Sequence, residues 1–143
     1  MGGFARCGLL LWESSIEVNR SHHSERIETM NSLLGLPRGQ ESHAADIGCN
    51  WGALTFKLAE MGHRTVAADT YSQLFTDILV PVSEILGLHE NIETHVGYGE
   101  DLPYANSCFE LVVCGEVIEH VKNPIIFLKE MNRILDGFVA EVS

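Results

Sequence analysis

Apolar residues along this chain recur with two different periods, and the two alternate. Over residues 21–34, Ile27, Met30 and Leu34 keep helical spacing and predict one amphipathic helix, ended by Gly35 and Pro37. Residues 44–47 form a short apolar run that reads as a strand. Leu54, Leu58 and Met61 then mark a helix that Gly62 can cap. A second strand is expected over 65–68, followed by a helix with the stripe Leu74, Ile78, Val82 and Ile85, which Pro81 should kink or split. Third and fourth strands fall at 92–96 and 109–114, the fourth apolar enough to lie inside a sheet. Asn123 and Pro124 supply an N-cap and a first-turn proline for a helix with the stripe Ile125, Leu128, Met131 and Leu135. Asp136 and Gly137 should stop that helix before a fifth strand at 138–142.

Strands alternating with helices predict a parallel α/β sheet with right-handed crossovers. The expected organisation is an N-terminal segment, 1–42, carrying one amphipathic helix, and a Rossmann-like domain over 43–143 with about five strands. A length of 143 residues suits one such domain, and 45% hydrophobic against 20% charged residues suits a chain that buries a core.

Charge narrows the partners. Nine Lys and Arg against 20 Asp and Glu give a formal net charge of −11, which disfavours a nucleic-acid backbone as ligand. The apolar run at 7–12 is far shorter than the about 20 residues that span a bilayer. Cys7, Cys49, Cys108 and Cys114 form no CxxC pair or zinc-finger spacing and read as free thiols of a cytoplasmic protein.

Candidate chemistry begins at "HAADIGCNWG", residues 43–52, where a strand passes into a helix. An open α/β sheet binds its ligand at such a turn, and Gly48 and Gly52 let backbone approach it closely. The dinucleotide fingerprint GxGxxG fits poorly, because Asn50 and Ala53 stand where its second and third glycines would. Asp46 is expected at the strand tip, repelling a pyrophosphate and favouring an ammonium group, or else capping the following turn. Asp69, 21 residues after Gly48, can accept from both hydroxyls of a ribose, or can be a solvated acid at a strand end. A ribose, a cationic group and no phosphates together describe S-adenosylmethionine.

Four stretches in order, "ADIGCNWG", "VAADTYS", "GYGEDLPYANSCFELVVCGEVIEHV" and "NPIIFLKEMNRIL", resemble the successive motifs of class I S-adenosylmethionine-dependent methyltransferases. The resemblance covers residues 43–137 and is closest to the ubiquinone- and menaquinone-biosynthesis branch. It implies that Asp46, Gly48, Cys49, Asn50 and Gly52 line the methionine and ribose part of the cofactor, and that Asp69 takes the ribose hydroxyls. Gly99 and Glu100 would meet the adenine edge, and Cys114 and Gly115 would flank the methionine end. Asn50 replaces the family's usual middle glycine.

The segment after the fourth strand holds Glu116, Glu119 and His120. In a helical turn these would face one another and could bind Mg²⁺ or Zn²⁺. They resemble the ExxEH pattern of the ubiquinone-pathway O-methyltransferases and of small-RNA 2′-O-methyltransferases. The RNA group has a further downstream histidine that this chain lacks. Without a metal, His120 is the candidate general base, or simply packs beside the cofactor. The resemblance also implies a further helix and strand hairpin after the fifth strand. The chain is therefore expected to be C-terminally truncated and to self-associate through an exposed fifth strand. The expected function is methyl transfer from S-adenosylmethionine to a small-molecule acceptor, at oxygen ahead of carbon or nitrogen. The alternatives are a non-catalytic fragment, an NAD-type oxidoreductase and an RNA 2′-O-methyltransferase.

Overall fold

The computed structural model describes residues 42–115 and 117–142, with residues 137–142 as backbone only. The helix expected over 21–34 lies outside the described residues. Five strands, β1 (His43–Ile47), β2 (Arg64–Asp69), β3 (Ile92–Val96), β4 (Phe109–Gly115) and β5 (Leu135–Val142), form one sheet in the order β3-β2-β1-β4-β5. All four pairings are parallel. From β1 the chain builds outward to β2 and β3, then crosses back to β4 on the other side. The reversal opens a crevice at the carboxyl ends of β1 and β4.

Small residues make the sheet centre. Ala44 and Ala45 of β1 are fully buried, as are Val112 and Val113 of β4. Helix α1 (Ala53–Glu60) starts at Gly52, whose φ of 89° no side-chain-bearing residue adopts readily. It ends as expected at Gly62. Gly62 N–H donates to the Ala59 carbonyl and His63 N–H to that of Leu58, so the last carbonyls of the helix are satisfied.

The helical run with Pro81 is divided, as its sequence predicts. It comprises α2 (Ser72–Leu74), a π-helical turn (Phe75–Leu79) and α3 (Val80–Ile85). Pro81 has no N–H to return to the preceding turn, and Val80 N–H reaches back five residues to the Phe75 carbonyl.

Helix α4 (Pro124–Ile134) begins at the predicted cap, with Asn123 Oδ1 accepting from Ile126 N–H at 3.2 Å. Its buried face differs from the expected one. Phe127, Met131 and Ile134 face the core, whereas Ile125 and Leu128 are 67% and 45% exposed. Both sets keep helical spacing, and Met131 belongs to both. Phe127 decides between them by filling the space beside Gly99, where an added Cβ would stand 2.5 Å from its Cε2.

The helix also passes into β5 without the expected stop at Asp136 and Gly137. Arg133 fixes this junction. It donates to Glu130 and to the carbonyls of Leu102 and Tyr104, while Ser107 and Cys108 N–H donate to the carbonyls of Arg133 and Ile134. Main-chain bonding therefore runs on from helix to sheet, and β5 opens at Leu135. Among the described residues β5 pairs only with β4.

Candidate functional site

A cavity of roughly 490 Å³ opens at the carboxyl ends of the central strands, where the topology places a ligand crevice. Gly48 and Asn50 come from the turn after β1, Asp69, Thr70, Tyr71 and Leu74 from the tip of β2 and the start of α2, and residues 97–100 from the tip of β3. Gly115 and the segment 117–122 close it from the β4 side.

The turn after β1 is built by backbone. Gly48 and Cys49 N–H both donate to the Ala68 carbonyl, at 2.8 and 3.0 Å, tying the turn to β2. Gly48 has φ 73°, and Asn50 takes φ 51°, which asparagine tolerates better than most residues. A Cβ on Gly48 would stand 2.3 Å from Val117 Cγ2, so only glycine lets the two cavity walls meet there.

Asp69, the last residue of β2, is half-buried and faces the cavity. Its Oδ2 accepts from Asn50 N–H at 2.9 Å, and its Oδ1 from Thr70 N–H at 2.7 Å and Tyr71 N–H at 3.3 Å. These bonds fix the carboxylate, and its two oxygens keep further lone pairs for a ligand. Glu100 lines the cavity and accepts from Lys122 N–H at 3.2 Å, joining the tip of β3 to the segment after β4.

Asp46 stands elsewhere than the sequence suggests. β1 runs on to Ile47, so Asp46 lies inside the sheet, between Ala67 of β2 and Val113 of β4, and is 1% exposed. Thr55 Oγ1 donates to its Oδ2 at 2.7 Å, and its Oδ1 has no partner. Burial outweighs the Thr55 hydrogen bonds and pushes its carboxyl up to about 7. It lies beneath the cavity floor rather than in its wall, because Ile47 and Gly48, the next two residues, line the cavity and Asp46 does not.

Of the predicted site residues, Gly48, Asn50, Asp69, Gly99, Glu100, Gly115 and His120 line one cavity. Cys49, Gly52 and Cys114 do not line it. Cys49 and Cys114 are buried, and burial raises the Cys49 thiol, which stays protonated. Gly52 starts α1, and a Cβ there would press on Leu79 and Phe56 at 3.0 Å. Cys49, Cys108 and Cys114 form no disulfide.

Glu116 lies outside the described residues. Residues 118–120 form a turn, with His120 N–H donating to the Val117 carbonyl at 2.9 Å. Glu119 Oε1 is 3.9 Å from His120 Nε2, with side chains 51% and 78% exposed. Among the described residues no group of three His, Cys, Asp or Glu could hold a metal ion.

Sequence reasoning missed Tyr71, Tyr98 and Lys122, all of which line the cavity. The available signal was "GYG" at 97–99, a tyrosine between two glycines just past a strand. Each glycine is required by a close neighbour: His95 Nε2 for Gly97, Phe127 for Gly99.

The methyltransferase-domain family matches residues 45–137, more than half of the chain. The chain is 35% identical over 91 residues to a ubiquinone biosynthesis O-methyltransferase of Parvibaculum lavamentivorans, covering 63% of this chain and 34% of that protein. It is 30% identical over 98 residues to norajmaline N-methyltransferase of Rauvolfia serpentina, covering 68% of this chain and 34% of that one. It thus spans about a third of the length of these curated relatives. Its fold superposes with a TM-score of 0.71 on the geranyl diphosphate C-methyltransferase of Streptomyces coelicolor A3(2), a structure in complex with Mg²⁺, geranyl diphosphate and S-adenosyl-L-homocysteine. That likeness covers 83% of this chain and 45% of the other at 17% identity. Among the described residues no helix is long and apolar enough to cross a membrane. With its five-stranded parallel sheet and its matching motifs, the chain belongs to the methyltransferase-domain family, in the S-adenosylmethionine-dependent class.

Proposed function

We propose that this chain binds S-adenosylmethionine in the cavity at the β1–β4 switch point and passes its methyl group to oxygen of a small-molecule acceptor. The observation that carries this reading is Asp69, a carboxylate fixed by three backbone N–H groups at the cavity wall. It is preorganised to accept from two vicinal hydroxyls. The residues present fit the cofactor: glycine backbone at 48 and 99, a ribose acceptor at 69 and no lysine or arginine in the turn after β1 that would hold phosphates.

The bound cofactor supplies a sulfonium methyl already activated for transfer. The chain's own work is then mainly placement, which can supply most of the effect. Gly48 and Gly115 let backbone lie against the ligand, and Asp69 sets its orientation. His120, on the wall formed by the segment after β4, accepts the proton of the attacking hydroxyl, and Glu119 steadies the imidazolium that results. The Glu119–His120 pair does not by itself make a metal site, and no step here runs through a metal.

The test is transfer of a labelled methyl group from S-adenosylmethionine to a panel of hydroxyl and amine acceptors. A general base contributes about 10²- to 10⁴-fold. His120→Ala should therefore lower transfer to hydroxyls by at least about 10²-fold while leaving S-adenosylhomocysteine affinity in place. Equal rates in parent and variant would remove His120 from the reaction. Transfer to amines alone would move the acceptor to nitrogen, as in the norajmaline enzyme's name.

A further inference from the structure

A carboxyl group as deeply enclosed as that of Asp46 ionises readily only where an opposite charge stands nearby. Among the described residues it has no such partner. Thr55 faces it from α1, Ala67 from β2 and Val113 from β4, and none of these is a cation. Thr55 Oγ1 donates to its Oδ2, and its Oδ1 meets no donor. The one charged group that acts on it is a second acid, Asp69, which makes ionisation harder still. Asp46 therefore stands ready for a charge that the surrounding side chains do not supply.

The cavity lies directly above it. Ile47 and Gly48, the two residues after Asp46, line that cavity, and Asp69 stands in its wall. The fields of the two acids meet in the turn between them: the Cys49 thiol is raised by burial first, and then by Asp46 and by Asp69. In S-adenosylmethionine the sulfonium sulfur is bonded to C5′ of the ribose, so a ribose held on Asp69 brings a positive charge into the same field. Gly48 puts no side chain between that charge and the strand below, and in buried surroundings the attraction is weakly screened.

We infer that Asp46 is a proton-releasing counter-ion of this site, which ionises when a cationic ligand enters and so favours the sulfonium donor over its neutral thioether product. The inference rests on the proposed function for the identity of the ligand. The protons balance. On binding, the Asp46 carboxyl passes one proton to solvent and keeps the charge that faces the sulfonium. Once the methyl group has left, the sulfur is neutral, and the carboxylate recovers a proton. Burial, which holds the carboxyl at about 7, supports the sign. Below pH 7 the acid is protonated before binding, so affinity for the cation rises with pH; above it the acid is already ionised and the rise ends.

Titration calorimetry in buffers of different ionisation enthalpy counts the protons. A pH of about 6.5 keeps the ligand's own amino group, which titrates at about 7.7–8.0, out of the count. On the parent, S-adenosylmethionine should release roughly half a proton or more. S-adenosylhomocysteine, which keeps only the ammonium group, should release less, and 5′-methylthioadenosine, which carries neither cation, none. Affinity for S-adenosylmethionine should rise by up to about tenfold per pH unit between about pH 6 and 7 and then level off. Asp46→Asn should lose both the released proton and the rise. His120→Ala should keep most of both, which separates Asp46 from the imidazole on the cavity wall. The parent series decides even if Asp46→Asn fails to fold: equal release by S-adenosylmethionine and 5′-methylthioadenosine would overturn the inference. Release that Asp46→Asn retains, or that His120→Ala abolishes, would overturn it as well. A parent that binds none of the three ligands would overturn the proposed function and this inference with it, whereas binding without release overturns this inference alone.

Discussion

Asp46 and Asp69 stand on neighbouring strands, each after an alanine, and they live in opposite environments. Asp46 is the fourth residue of a five-residue strand, enclosed by two partners, 1% exposed and short of one hydrogen bond. Asp69 is the last residue of β2, half-buried and held by three backbone donors. A single further residue of strand after Asp46 makes the difference. It places one carboxylate below the cavity floor, where its charge is costly, and leaves the other in the wall, where its charge is usable. In the proposed function Asp69 carries ligand affinity, whereas the buried Asp46 carries pH-dependent stability.

The greatest change is expected at Asp46. Its folded carboxyl titrates near 7, against an ordinary value of 3.8. Between those values the folded chain holds a proton that the unfolded chain has released. The stability linked to Asp46 is therefore complete below about pH 4 and is lost as pH rises through 7. Three units correspond to at most about 4 kcal/mol. Asp46→Asn, which stays neutral, should flatten this decline in denaturant unfolding measured from pH 4 to 8. His63 acts with the opposite sign. Burial lowers its pKa, so its contribution is lost as pH falls, and the Asn variant should leave that limb unchanged. A parental profile that rises steadily from pH 4 to 7 would mean that Asp46 is ionised and satisfied in solution.

Gly48→Ala should come next, and it should strike both halves of the comparison, since Gly48 joins the floor over Asp46 to the wall that holds Asp69. The new methyl meets Val117 at 2.3 Å in a left-handed backbone conformation, and strain plus overpacking amounts to about 2 kcal/mol or more. Thermal melts should show the loss, together with weakened nucleoside binding. A variant with parental stability would show that the segment 117–122 moves freely away from Gly48.

The smallest effect concerns a third acid, Glu119, which is exposed rather than buried or clamped. Millimolar Mg²⁺ or Zn²⁺ should leave the melting temperature unchanged if Glu119 and His120 are the only donors. A rise that Glu119→Gln abolishes would show a site completed beyond the described pair.

The sequence exposes the sheet well, because runs such as "FELVVC" and the cap pair Asn123–Pro124 are decided locally. It exposes the cavity in part, since Gly48, Asp69, Gly99 and Glu100 carry the motifs. It could not reveal which face of α4 is buried, because Phe127 and Leu128 each complete a stripe with Met131 and only the contact with Gly99 selects between them. Its strand bounds, 44–47 and 65–68, already put Asp46 inside a strand and Asp69 past one, but they do not give the burial of Asp46, which comes from pairing with β2 and β4 on both sides. Lys122 was hidden for a similar reason: it is tied to the cavity wall by a main-chain bond to Glu100, far away in the chain.

The central claim is that Asp69 holds the ribose of an S-adenosyl cofactor, and titration calorimetry with S-adenosylhomocysteine and with NAD⁺ tests it most directly, on the parent and on Asp69→Ala. A hydrogen bond to a charged group contributes about 1.5–3 kcal/mol. The account predicts that the parent binds S-adenosylhomocysteine in preference to NAD⁺, and that Asp69→Ala binds it at least about tenfold more weakly. Equal affinity in the two proteins, or a parent that prefers NAD⁺, would contradict it.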